Sequence, residues 1–323
     1  MTGVDQRDRE RAGMSVSGTV VLSLDAELNW GFHDLASVPI DRTSAARESW
    51  LDVLDLLDEH GIPATWAVVG RLFSEASVDA DFDHPVGGKW VGRSKRDALP
   101  DAGWEGRDLI DAVHDSDVDH EIGSHSYTHV EFGDPETSRE IAATELQRSV
   151  IAAERYGIDL ESFVFPRNDV GHRDLLADHG FTTYRGRAPD RWYEATPLRR
   201  LGKLAAFTIG TAPPPIVDPV VDEHGLVNVP ASMYLFTFEG PVRNAVGTAF
   251  GDPVVRQVEL GLERLRTRNR GVLHLWLHPN NVTTERDRTR MREIVSLIAD
   301  YRDRDALAVE PMRGIARRVR TDE

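Results

Sequence analysis

Residues 19–25 read TVVLSLD and residues 43–62 read TSAARESWLDVLDLLDEHGI, and the succession of these two stretches decides the fold class. The first is an unbroken apolar run of strand length. In the second, Trp50, Val53, Leu54 and Leu57 recur at helical spacing and Gly61 follows as a stop signal. A strand that is apolar on both faces needs cover on both sides, so a strand-then-helix unit of this kind belongs to a parallel sheet wrapped by helices.

The unit recurs down the chain. Further strands are expected in ATWAVVG (64–70), HEIGSH (120–125), SFVFP (162–166), FTTYR (181–185), LVNVP (226–230) and GVLHLWLH (271–278). Between them, residues 108–116, 135–157, 172–180, 253–269 and 284–304 carry helical patterns, the second with acidic residues early. Seven or so units favour a distorted parallel (β/α) barrel in a single α/β domain, with an open doubly wound sheet as the alternative that periodicity leaves standing. Residues 1–17 are polar and aperiodic, a flexible leader; residues 18–312 form the barrel and 313–323 a charged C-terminal tail. The Gly-, Asp- and Pro-rich stretch after Gly70, to about Asp101, is expected to cross one face of the barrel, and TAPPPIVDPVVDEHG (211–225) to be a long functional loop.

Composition narrows the chemistry. The 323 residues include no cysteine, so thiolate metal sites, disulfides and cysteine nucleophiles are excluded and any metal must take imidazole or carboxylate ligands. A net charge of −16, from 54 Asp+Glu against 38 Lys+Arg, argues against nucleic-acid binding. Only Lys89, Lys95 and Lys203 are lysines, and so acidic and lysine-poor a surface fits a salt-rich cytoplasm that screens self-repulsion. No apolar run reaches the roughly 20 residues of a membrane span, and the N-terminus lacks the apolar middle of a secretory signal; a cytoplasmic protein is expected. Oligomeric state has no signature here.

In a barrel of this kind the working groups stand at the carboxyl ends of the strands. Those ends deliver Asp25-Ala26-Glu27, His125-Ser126-Tyr127-Thr128-His129, Pro166-Arg167-Asn168-Asp169 and His278-Pro279. On a strand, residues i and i+2 share a face, so Asp25 and Glu27 converge, and two adjacent anions are costly unless a cation neutralises one of them. Helix capping or a salt bridge to an arginine is the alternative use for this pair. Chance alone gives about 0.4 histidine pairs four apart at this composition, and here there are two. His274 and His278 lie in one strand, where about 3.3 Å per residue holds them too far apart to share an ion. His125 and His129 sit where a strand gives way to a turn or helix and can chelate, or else bond to loop backbone.

These windows resemble the polysaccharide deacetylases, the NodB-homology carbohydrate esterases. The H-[ST]-x-x-H motif matches in full as His125 to His129, preceded by Glu121-Ile122-Gly123; the first motif is Ser23-Leu24-Asp25-Ala26-Glu27, as in a branch with a residue inserted between base and ligand; the late motif is Leu277-His278-Pro279. The resemblance implies Asp25 as general base, Glu27, His125 and His129 as ligands of a divalent metal with zinc the first choice, and His278 as general acid. It assigns Arg167 to orienting the base, although the family's arginine precedes the proline of its motif, where Val164 stands here. Val229 to Leu235 resembles a substrate-side segment and puts Tyr234 at the substrate; Asn168 lies where a backbone amide would meet the oxyanion. Trp30, Trp90 and Trp276 are read as a sugar-stacking wall or as core. The expected reaction is metal-dependent removal of an acetyl group from an N-acetylated sugar or glycan intermediate. A glycan-binding scaffold without activity and a metal-independent barrel glycosidase are the alternatives.

Overall fold

A computed structural model describes residues 18–35, 37–74, 84–87, 99, 101–190, 213–237, 251–305 and 307–321. The expected leader, most of the excursion after Gly70 and Trp90 lie outside the described residues.

Ten strands form one sheet among the described residues: β1 (Thr19–Ala26), β2 (Thr65–Val68), β3 (Glu121–Ser124), β4 (Ser162–Val164), β5 (Thr183–Arg185), β6 (Val220–Val221), β7 (Val227–Asn228), β8 (Met233–Tyr234), β9 (Val272–Leu277) and β10 (Ala308–Val309). Their order is β6-β7-β5-β4-β3-β2-β1-β9-β8, with β10 added beside β1. Every pairing of named strands is parallel except that of β6 with β7. The helices are α1 (Ile40–His60), α2 (Arg107–His114), α3 (Arg139–Glu154), α4 (Arg173–Asp178), α5 (Pro253–Arg268), α6 (Glu285–Asp305) and α7 (Met312–Thr321). None of them is long and apolar enough to cross a membrane.

The segment from Leu226 to Leu235 closes the barrel. Its first half bonds to β5, through Val227 N to Thr182 O at 2.9 Å and Val229 N to Tyr184 O at 3.0 Å. Its second half bonds to β9, through Ser232 N to His274 O at 2.7 Å and Leu235 N to Trp276 O at 2.9 Å. One stretch, broken near Pro230 where a ladder donor is missing, thus serves as the seventh stave between β5 and β9. The Pro-rich run before it is less loose than a loop: Val217 pairs with Val272, and β6 lies against β7.

The alternation of β1 explains both faces of the wall. Val20, Leu22, Leu24 and Ala26 join the large core beneath the outer helices, while Val21 packs with Ala67, Val164, Val227, Val229 and Val272 inside the barrel. The inner cluster also takes in Met312, Ile315 and Ala316 of α7. This corrects the expected charged tail, because the segment from Met312 is an amphipathic helix that plugs the barrel floor. Arg313, Arg317 and Arg318 face carboxylates at the rim, while Met312, Ile315 and Ala316 recur at helical spacing on the buried face.

Candidate active site

Parallel register brings the carboxyl ends of β1 and β9 to one level, with Leu24 opposite Leu277. Asp25 therefore lies next to the end of β1 inside the mouth, and Glu27 follows that strand at the entry to a short 3-10 turn, Leu28–Gly31. Both are buried, at 2% and 5% exposure, and both face His278: its Nε2 is 3.6 Å from Asp25 Oδ2 and 3.7 Å from Glu27 Oε1. Gly31 makes room for this turn, since a Cβ there would meet the Glu27 carboxylate at 2.1 Å.

The histidine pair converges through a turn rather than a helix. Ser126 and His129 take left-handed backbone, with φ of 61° and 65°, and fold the loop so that the two rings lie 5.0 Å apart. Glu145 of α3 holds that loop, accepting from the Tyr127 and Thr128 amides at 2.7 and 2.8 Å and from the Thr128 hydroxyl at 2.5 Å. Five of the seven non-glycine residues with positive φ among those described, Leu28, Ser126, His129, Arg167 and Asn168, are in the loops that build this mouth. Backbone of that kind persists only where its surroundings over-determine it, and such residues cluster at functional sites.

Glu27, His125 and His129 present one ligand atom each within 4.8 Å of one another. His125 Nδ1 donates to the Val164 carbonyl at 2.8 Å, which leaves Nε2 as a bare lone pair, and that atom is buried without a hydrogen-bond partner. Glu27 Oε2 lies 3.6 Å from His125 Nε2 and 3.1 Å from His129 Nε2, and Asn280 donates to Oε1 at 3.4 Å. Burial alone pushes the Glu27 carboxyl up, but the His278, His125 and His129 rings outweigh it and hold the group well below the usual glutamate range. An anionic oxygen and a bare imidazole nitrogen aimed at one point fit a divalent cation.

Arg185, at the end of β5, grips Asp25. Its Nη1 and Nη2 donate to the two carboxylate oxygens at 2.6 and 2.8 Å, its Nε and Nη2 donate to Asn168 Oδ1 at 3.2 and 3.0 Å, and its guanidinium stacks over Trp276 at 4.3 Å. Burial raises the Asp25 carboxyl, but Arg185, His125 and His278 overcome it and leave the group below its ordinary value.

Arg167 does not reach Asp25. Its backbone is left-handed and its guanidinium turns outward to Asp34 at 2.6 Å and Glu131 at 3.3 Å. Two residues before Pro166, where the resemblance puts an arginine, stands Val164 of β4, and the arginine that meets Asp25 is Arg185 of the next strand. Arg185 was findable by the strand-end rule, because it is the last residue of FTTYR. Asn168 holds Arg185 through its side chain. Trp30 is fully buried edge-on to Trp104 at 5.2 Å and cannot stack on a sugar, whereas half-buried Trp276 and Tyr234 pack at 4.3 Å beside His278. The Tyr234 hydroxyl sits 2.6 Å from the Asn281 side chain and 3.2 Å from His278 Nδ1.

The sequence pattern of the family described as polysaccharide deacetylase matches residues 36–184. That span holds His125 and His129 but not Asp25, Glu27, Arg185 or His278, which the fold brings to them. Among solved structures, a provisionally assigned polysaccharide deacetylase from Mycobacterium smegmatis is 17% identical, with 95% of this chain and 92% of that one covered and a TM-score of 0.61. A provisionally assigned polysaccharide deacetylase from Pseudomonas aeruginosa is 12% identical, with 93% and 89% covered and a TM-score of 0.57. An allantoinase is 12% identical, with 95% and 92% covered and a TM-score of 0.54. At these identities the likeness is one of fold. No curated protein matches the sequence.

Proposed function

We propose that this chain, which belongs to the polysaccharide deacetylase family through residues 36–184, is a metal-dependent hydrolase that removes the acetyl group of an N-acetylated sugar or glycan. The observation that carries the reading is a ligand trio, Glu27, His125 and His129, beside a separately held carboxylate, Asp25, with His278 facing both. Glu27, His125 and His129 would hold the ion, for which zinc suits two imidazoles and a carboxylate, and when bound it supplies Lewis-acid polarisation of the acetyl carbonyl.

The chain's own groups supply the proton transfers. Arg185 keeps Asp25 ionised at neutral pH and fixes both its oxygens, so that the carboxylate can take the proton of an attacking water; the same pairing weakens its basicity. His278, which borders the same space, gives a proton to the leaving amine, and Tyr234 orients the ring through Nδ1. Trp276 and Tyr234 offer half-buried aromatic faces to a sugar.

Acetate release from a panel of N- and O-acetylated sugars tests this directly. Asp25→Asn should lower turnover by about 10²–10⁴-fold, as expected of a lost general base, with metal content unchanged. Glu27→Gln should weaken metal uptake first and recover in part at high metal concentration. Release of a free sugar instead of acetate would mark a glycosidase, no product at all a binding scaffold, and the reverse pattern in the two variants would exchange the roles of Asp25 and Glu27.

A further inference from the structure

The second histidine of the spacing pair 274/278 enters the chemistry above, and the first does not. His274 lies fully buried in β9 with its ring between two staves. Nδ1 is 3.1 Å from the Val229 carbonyl and Nε2 is 2.9 Å from Ser23 Oγ, while the His274 amide donates to Ser232 Oγ at 3.0 Å.

The hydrogens in this group are fixed by counting. A carbonyl oxygen only accepts, so Nδ1 carries a hydrogen. Burial first, and then the charge of Arg185, keep the imidazole neutral with a pKa of about 3. A neutral ring has a single N–H, which leaves Nε2 bare, and the Ser23 hydroxyl must donate to it. The same oxygen then has only lone pairs for its other neighbour, Arg185 Nη1, at 3.1 Å. That nitrogen also donates to Asp25 Oδ1 at 2.6 Å.

We infer that His274 is a positioning residue for Asp25: by fixing the hydrogen of Ser23 it makes that hydroxyl an obligatory acceptor for Arg185, and so holds the guanidinium square on the carboxylate. The chain of bonds runs from the closing stave through β9, β1 and β5 to the base. Ser23, Arg185 and His274 are each fully buried, so a donor among them that loses its acceptor is left unsatisfied. The inference rests on Asp25 as the base, the reading proposed above.

The test has two arms on the full-length protein. Long-range proton–nitrogen NMR with histidine-labelled enzyme, assigned by the signal lost in His274→Gln, should show one ring with Nδ1 protonated, Nε2 bare and no titration from pH 5 to 8. A proton on Nε2, or titration in that range, overturns the inference whatever the enzyme's activity. In the second arm, His274→Leu and Ser23→Ala should each lower kcat by about 10- to 100-fold, the worth of one hydrogen bond to a charged group. KM should stay within about twofold and zinc uptake should not change. The double variant should be no worse than the poorer single, and His274→Gln, whose amide can give one hydrogen and accept another, should restore most of the rate. Full kcat in His274→Leu, or additive losses in the double variant, overturns it; if His274→Leu does not fold, Ser23→Ala alone decides. Were the unaltered enzyme to release no acetate from any substrate, the functional reading would fall while the NMR arm still judged the hydrogen-bond direction.

Discussion

Asp25 and Glu121 are carboxylates buried at opposite ends of one barrel interior, and their surroundings drive them in opposite directions. At the mouth, Asp25 meets a guanidinium at 2.6 and 2.8 Å and two imidazoles, and its carboxyl is held low. At the floor, Glu121 meets mainly neutral donors: the Thr65 hydroxyl at 2.8 Å, the Arg313 amide at 3.0 Å and the Ser162 hydroxyl. There burial wins and its carboxyl is raised. Depth is the same in both cases, so the sign is set by whether the partner carries charge. The mouth holds an ionised carboxylate, and the floor uses an acid to cap the first turn of α7, whose Arg313 amide lands on Glu121 and whose Met312 amide lands on Thr65 at 2.8 Å.

Removing the charged partner at the mouth is the strongest way to break the comparison. Arg185→Met leaves a buried ionised Asp25 without its cation, and breaking such a pair costs about 3–5 kcal/mol. Urea unfolding at neutral pH should register that loss, and adding Asp25→Asn should recover most of it, because no charge is then left stranded. A loss under about 1 kcal/mol, the worth of an exposed pair, would mean that Arg185 contributes no more than a surface ion pair.

The staves, the outer helices and the convergence of Glu27, His125 and His129 were legible because strand and helix periods and strand-end chemistry are local signals. Arg185 is harder to single out because the motif points to Arg167, three residues past the end of its own strand; which of the two arginines turns inward depends on a left-handed backbone at Arg167 that spacing does not encode. Trp30 failed for a related reason, since its edge-on partner, Trp104, lies 74 residues away. The plug helix was hidden by its own arginines, whose partners Asp119, Glu161 and Glu310 come from three separate segments.

A smaller effect should follow from crowding the mouth without touching any charge. In Gly31→Ala the new methyl would stand 2.1 Å from the Glu27 carboxylate, and the backbone at Gly31 is not left-handed, so the carboxylate rather than the fold has to give. Displacing a ligand from outside in this way should weaken metal affinity about 10- to 100-fold, the range for lost supporting contacts. Zinc titration of the variant measures it, with the unfolding midpoint as control. Unchanged affinity would show that Glu27 tolerates the shift and does not anchor the ion.

The smallest effect is expected at the floor, and its sign separates the two carboxylates. Glu121 has a folded-state pKa above its unfolded value, so between the two the native state holds the extra proton; its contribution is fully present at lower pH and is lost as pH rises through the folded pKa. Asp25, with a lowered folded-state pKa, contributes above its unfolded value and loses that as pH falls through the folded pKa. Glu121→Gln imitates the protonated acid: its carbonyl can keep the Thr65 and Arg313 donors while its NH2 faces Ser162, whose hydroxyl can turn to accept. The variant should therefore match the unaltered protein at about pH 4, near the ordinary glutamate value. It should exceed it at pH 8 by about 1 kcal/mol, the scale of one hydrogen bond. Urea unfolding at the two pH values reads the difference. A variant less stable than its parent at pH 8 would show that Glu121 works as an anion against α7 after all, and the contrast between the two ends of the barrel would then be one of degree.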